Sequence, residues 1–186
     1  MIRSHAAESG RFLGRNQLLA AARLNSVLFR VGLRNVRVFA QRAQLTLDLA
    51  ELMRATRSYF EVTLDVQSRT EPANDGRDQL EVLLRSEKHG YEGRLSIRTR
   101  WASDHDRADA RDAEQRGQAA GMATLAERCP TIWDVESIGP DSELARLNLC
   151  GILAAVALGP VLPDDGSTLY GVRGAMERVD RLLQAR

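Results

Sequence analysis

Residues 60–67 read FEVTLDVQ, residues 79–86 QLEVLLRS and residues 91–101 YEGRLSIRTRW, and the period of these three runs decides the fold class. Phe60, Val62, Leu64 and Val66 alternate with Glu61, Thr63, Asp65 and Gln67, which puts an apolar row on one face of a strand and a wet row on the other. Leu80, Val82 and Leu84 are the inward row of a second strand, and Leu95, Ile97, Thr99 and Trp101 that of a third. Between the first two, Pro72 and the triplet Asn74, Asp75, Gly76 are turn chemistry. The connection around His89, Gly90 and Gly93 is short enough for a hairpin. Residues 59–101 are therefore predicted to form a three-stranded antiparallel meander.

Outward from the meander the period becomes helical. Leu18, Leu19, Ala22, Leu24, Val27, Leu28 and Val31 recur at steps of three and four, predicting an amphipathic helix over 15–31 that Gly32 ends. Val36 and Val38 alternate like a strand, but Leu45, Leu49, Leu52 and Met53 step like a helix, and a helix over 40–57 is preferred. After the meander Ser103 caps a long helix that runs to Cys129 and stops at Pro130, with Asp104, Asp106, Asp109 and Asp112 in its first turns, where the helix dipole favours acids. Ile132, Trp133, Asp134 and Val135 read as a short strand that extends the sheet. Asp141 or Ser142 caps a helix to Leu158 that is almost wholly apolar after Asn148 and so belongs at the centre of the core. Residues 160–167 read as a loop. Residues 174–183 read as a terminal helix with Ala175, Met176, Val179, Leu182 and Leu183 inward. The expected fold is α+β: the meander packed on one face by helices, as a single domain over 36–186, with a basic N-terminal helical arm over 1–35.

A chain of 186 residues and 20.6 kDa is one ordinary domain plus a tail. With 27% charged and 44% hydrophobic residues it is neither a disordered nor a fibrous sequence. The net charge of +1 hides an asymmetry. Residues 1–44 hold eight arginines and one acid, Glu8, for +7, and the remainder carries −6. A basic arm on an acidic body docks either on an anionic partner or on its own body. Of 26 basic side chains only Lys88 is lysine, a skew that reads as codon bias in a GC-rich genome and implies no mechanism. Two cysteines, Cys129 and Cys150, are too few for a disulfide scaffold, which points to a reducing, cytoplasmic compartment. Arg-rich, Ser-containing and acid-poor, the N-terminal stretch also reads as an organelle transit segment, making an organelle matrix the alternative location. The longest uncharged run, 147–163, is interrupted by Gly151, Gly159, Pro160 and Pro163 and is too short for a transmembrane segment.

No motif in the chain fixes a chemistry: there is no nucleophile elbow, phosphate loop, dinucleotide fingerprint or zinc spacing. His105, Asp109 and Asp112 share a helix face at i, i+4 and i+7 and are weak metal candidates, although a solvated acidic helix start explains the same run. Cys129 ends the long helix and Cys150 sits in the most apolar stretch, neither in the electropositive setting of an activated thiol, so no catalytic residue is assigned and no cofactor is expected. Asp164, Asp165, Gly166, Ser167 and Thr168 form either a ligand-presenting loop or a plain turn. Arg94, Ser96, Arg98 and Arg100 make a basic outward row on the third strand, with Glu81, Leu83, Arg85 and Glu87 opposite them as candidate ion-pair partners. Gly117 and Gly121 stand four apart on the long helix, as do Gly151 and Ala155 on the next, marking close helix approaches. These features favour a non-enzymatic interaction protein, an adaptor, chaperone or assembly subunit. It docks on a protein partner or a second copy through its helical surface and basic residues, with Arg23, Arg30, Arg34, Arg37, Arg94, Arg98 and Arg100 as partner-binding candidates. The alternatives are a small metal- or ligand-binding enzyme domain built around His105, and a nucleic-acid-binding protein.

Overall fold

The computed structural model describes residues 35–70, 77–139 and 143–185. The segment predicted as a helix over 15–31, and with it Arg23, Arg30 and Arg34, lies outside the described residues. In chain order the elements are β1 (Val36–Ala40), α1 (Leu49–Tyr59), β2 (Thr63–Thr70), β3 (Gln79–Ser86), β4 (Tyr91–Trp101), α2 (Asp104–Gly117), α3 (Met122–Glu127), β5 (Thr131–Ser137), α4 (Glu143–Ala157), β6 (Val161–Leu162) and α5 (Val172–Gln184).

The α+β class and the meander stand: β2, β3 and β4 pair antiparallel, Leu64 opposite Leu84 and Val82 opposite Leu95. The sheet itself is larger than expected, six antiparallel strands in the order β2-β3-β4-β5-β1-β6. β5 is the short strand read around Trp133. β1 lies just before the helix expected over 40–57, overlapping it only at Ala40, and runs alongside β5 from Val36 opposite Val135 to Ala40 opposite Thr131. The strand-like alternation of Val36 and Val38 is cut short because the strand's end is buried on both faces: Val36, Val38 and Ala40 join one apolar cluster and Phe39 the other. The helix begins only at Leu49, where the Asp48 side chain accepts from the Glu51 amide at 3.1 Å.

Helices cover both faces of the sheet rather than one. α1, α4 and α5 pack on the meander's inward rows and on Trp133 and Val135. On the opposite face Ala110 and Ala113 of α2 with Ala123 and Ala126 of α3 cover Phe39, Ile132 and Leu162, which belong to β1, β5 and β6. The strands that alternate in sequence take helices on one side, and those that do not are sandwiched. The long helix predicted to reach Cys129 is broken into α2 and α3, because Gln118 and Gly121 adopt left-handed backbone (φ 52° and 85°) and the Glu114 carboxylate accepts from the amides of Gly121 and Ala123. Gly117 and Gly121 therefore share no helix face. Gly151 does mark a close approach, with the Phe60 ring and Ala175 of α5 against it. Three residues assigned to apolar faces are exposed: Val66 of β2 at 37%, Trp101, at the free end of β4, at 55%, and Met176 of α5 at 41%. No described helix is long and apolar enough to cross a membrane.

Candidate functional site

The acidic start of α2 is the first place where the sequence gathers chemistry. Ser103 caps the helix in a reciprocal box with Asp106, the Ser103 amide donating to Asp106 Oδ2 at 2.9 Å. Asp106 is almost fully buried and also accepts from Arg100 Nη1 at 2.7 Å, Arg100 Nη2 at 2.8 Å and Arg37 Nη1 at 3.0 Å. Burial alone would raise its pKa, but the bonds from Arg100, Ser103 and Arg37 outweigh that and hold the carboxyl well below the usual range. Arg100 is raised in turn, chiefly by Asp106 and then, against its own desolvation, by Asp134 at 2.7 Å. Arg37 also reaches Asp109 at 2.7 Å, and Arg98 pairs with Glu136.

Three of the sequence-assigned arginines, Arg37, Arg98 and Arg100, are thus tied to carboxylates across β1, β4, β5 and α2. Their partners on the sheet are Asp134 and Glu136 of β5, not the β3 acids named from sequence, because the register sets Arg98 opposite Asp134 and Ser96 opposite Glu136. Arg94 is exposed, with no carboxylate partner among the described residues. His105 is 82% exposed, with Nε2 3.5 Å from Asp109, and Asp112 is exposed as well. Among the described residues no group of three His, Cys, Asp or Glu side chains is placed to hold a metal ion. Cys129 and Cys150 are buried free thiols, which burial pushes up to about 11 and about 12.

Two concave features lie on the side of α4 and α5. The first, of about 280 Å³, is bounded by α4, α5 and the loop after β6, and it includes Asp164, Asp165 and Ser167 of the loop singled out in sequence. That loop is shaped locally: the Ser167 amide donates to Asp165 at 2.9 Å and lowers its pKa, and Arg116 of α2 donates to the Gly166 carbonyl at 2.9 Å. Arg178 lies over the Tyr170 ring at 4.0 Å, and burial keeps the Tyr170 hydroxyl protonated. Arg146, one turn into α4, also lines it and had no sequence signal, since an arginine before an apolar run reads as an ordinary helix flank.

The second feature is a groove of about 390 Å³ between the end of α1, the β3–β4 hairpin and α5. Phe60, Val62, Tyr91, Val179 and Leu183 line it, and Tyr59, 55% exposed, and Met176 stand at its edges. At its floor the buried Asn148 donates to the Tyr91 hydroxyl at 2.7 Å and to the Leu144 carbonyl at 2.8 Å. Comparison with protein families, curated proteins and solved structures found no match.

Proposed function

We propose that this is a non-enzymatic interaction protein whose helical surface docks on a protein partner at the groove between α1 and α5. The observation that carries this reading is the pair of exposed large apolar side chains, Tyr59 and Met176, at the edges of a groove with an apolar lining. Large flexible or aromatic side chains left in water around a concavity are what an anchor residue of a partner covers. Lys88, His89, Glu61 and Asp180 also line the groove and give it a polar rim. The +7 charge of residues 1–44, with Arg23, Arg30 and Arg34, supports a partner with an acidic surface. Arg37, Arg98 and Arg100 contribute less to such a partner, because each is engaged by a carboxylate of its own chain.

The test is quantitative crosslinking and capture from the source cells with the full chain, with Y59A/M176A, and with a chain lacking residues 1–35, alongside light scattering at low and high salt. One polypeptide captured by the full chain, lost from the double variant and weakened by salt, is the expected result. An unchanged captured set with Y59A/M176A would overturn the groove as the docking surface, and a self-dimer lost in that variant would make the partner a second copy. Absorbance at 260 nm that disappears with salt would favour the nucleic-acid reading instead.

A further inference from the structure

The floor of the groove between α1 and α5 carries an acceptor that the fold leaves unused. Asn148 of α4 is almost fully buried, and both hydrogens of its Nδ2 are engaged, one by the Tyr91 hydroxyl at 2.7 Å and one by the Leu144 carbonyl at 2.8 Å. Its Oδ1 accepts no hydrogen bond from the described residues. That oxygen is not sealed away. Among the described residues the enclosed side-chain atoms without a partner are Asn35 Oδ1, Ser96 Oγ and Trp133 Nε1, whereas Asn148 lines the groove and its Oδ1 opens on it. Water satisfies such an oxygen while the groove is open. A partner that closes the groove displaces that water, and the acceptor is then either met by a donor of the partner or left buried and unpaired.

The walls decide what can carry that donor. Phe60, Val62, Val179 and Leu183 are apolar, and Tyr59 and Met176 stand exposed at the edges. A charged anchor would lose its hydration against these walls. Leucine or phenylalanine would fill the space and leave Asn148 Oδ1 unpaired. A phenol brings two lone pairs of its own, and the Nδ2 hydrogens of Asn148 are already taken. An indole is a donor only, on a large apolar body whose flat faces suit the Phe60 and Tyr91 rings and the Met176 sulfur. A groove of about 390 Å³ accommodates it. The charges are complementary too, because the negative end of the Asn148 amide dipole meets the positive N–H of the indole.

We infer that the groove takes a tryptophan side chain of the partner polypeptide, its Nε1–H donating to Asn148 Oδ1. This rests on the groove being the docking surface and names the anchor that the surface receives. Methylation of the indole nitrogen removes the donor and keeps the ring, so it separates recognition by Asn148 from simple filling of an apolar space. Asn148→Leu removes the acceptor and should abolish the distinction between the two rings.

The experiment is a titration of the isotope-labelled full chain, followed by amide chemical shifts, with N-acetyl-L-tryptophanamide, its 1-methylindole counterpart, N-acetyl-L-phenylalaninamide, N-acetyl-L-leucinamide and free L-tryptophan. N148L is titrated with the two indoles. The expected result is a set of shifts at residues lining the groove, with the tryptophanamide binding about tenfold or more tighter than its methylated counterpart and than the phenylalanine and leucine amides, and with the preference for N–H over N–CH3 lost in N148L. Equal binding of the two indoles to the parent would overturn the inference, and that comparison decides the matter whether or not N148L folds. So would tighter binding of the phenylalanine or leucine amide, tighter binding of free L-tryptophan than of the capped form, a preference retained in folded N148L, or no shift in the groove at about 20 mM. In each of these cases, capture that still depends on Tyr59 and Met176 keeps the groove as the docking surface and removes only its anchor, whereas capture independent of both overturns the groove and the inference together.

Discussion

Replacing Asp106 by asparagine keeps the shape of the side chain and removes its charge, so it measures what the ion-pair cluster contributes. In the folded protein the carboxylate accepts three bonds from Arg37 and Arg100 and two from Ser103. The asparagine oxygen can still serve the Ser103 amide, but its NH2 turns a donor toward guanidinium groups that have no lone pairs. Bonds to charged groups contribute about 1.5–3 kcal/mol each, which would place the loss of three near the top of the range for single substitutions. Two features reduce it. Arg37 keeps Asp109 and Arg100 keeps Asp134, and both guanidiniums are partly open to water, at 21% and 30% exposure. The expected loss at pH 7 is therefore about 3 kcal/mol, which lowers the unfolding temperature of a domain this size by roughly 6–12 °C. The pH dependence gives a second check. Because the carboxyl is depressed in the folded state, its contribution is complete above the unfolded value near 4 and disappears as pH falls toward the folded value, at about 1.4 kcal/mol per pH unit. Urea unfolding of parent and D106N at pH 7, 5 and 3, followed by far-UV dichroism, should show the same difference at the first two and a smaller one at the third. A difference under about 0.5 kcal/mol at pH 7, or one that does not change down to pH 3, would refute the argument.

Three further outcomes follow from other parts of the molecule. Asp78 is fully buried and accepts from the Leu47 amide at 3.0 Å and from Arg69 at 2.6 and 3.1 Å, so Asp78→Ala should cost about 3 kcal/mol in urea unfolding and Asp78→Asn distinctly less. A methyl group on Gly159 would fall well inside contact distance of the Phe39 carbonyl oxygen, so Gly159→Ala should destabilise by about 2–4 kcal/mol, and a neutral result would mean that β1 and the turn before β6 separate easily. Burial pushes both thiols far above neutrality, so Cys129 and Cys150 should resist a thiol reagent at pH 8 in the native protein and react promptly in urea, with rapid native labelling contradicting their placement.

The meander, the cap at Ser103, the short strand at Trp133, the buried helix α4 and the terminal helix α5 were legible because each expresses a local rule. The rule is alternation for half-buried strands, a hydroxyl before a helix, and an unbroken apolar run for a helix at the centre of the core. β1 escaped because its alternation at Val36 and Val38 ends at the buried Phe39 and Ala40, too short a run to outweigh the helical steps after it, and α2 was read too long because α3 resumes the helical pattern after a left-handed turn at Gln118 to Gly121. The basic residues of β4 were legible as one row, but Ser96 within it is buried and the row's partners depend on register. Only the pairing of β4 with β5 could show that Asp134 and Glu136, some 35 positions away, lie beside Arg100 and Arg98.

By itself the sequence determined the α+β class, the alternation of the meander strands, the spans of α4 and α5, the cap of α2 and the charge contrast between residues 1–44 and the rest. These follow from the period and capping preferences of neighbouring residues, which act over a few positions and need no knowledge of the fold. Only the tertiary structure decided which charges meet and which are left facing a cavity. Arg100 and Arg146 are each one of 25 arginines in the chain. Long-range packing gives the first two carboxylates and sets the second on a cavity wall with Asp164 at 3.9 Å. The energy of a buried charge is set by what the fold brings within about 3 Å of it, and that distance is not written in the order of the residues.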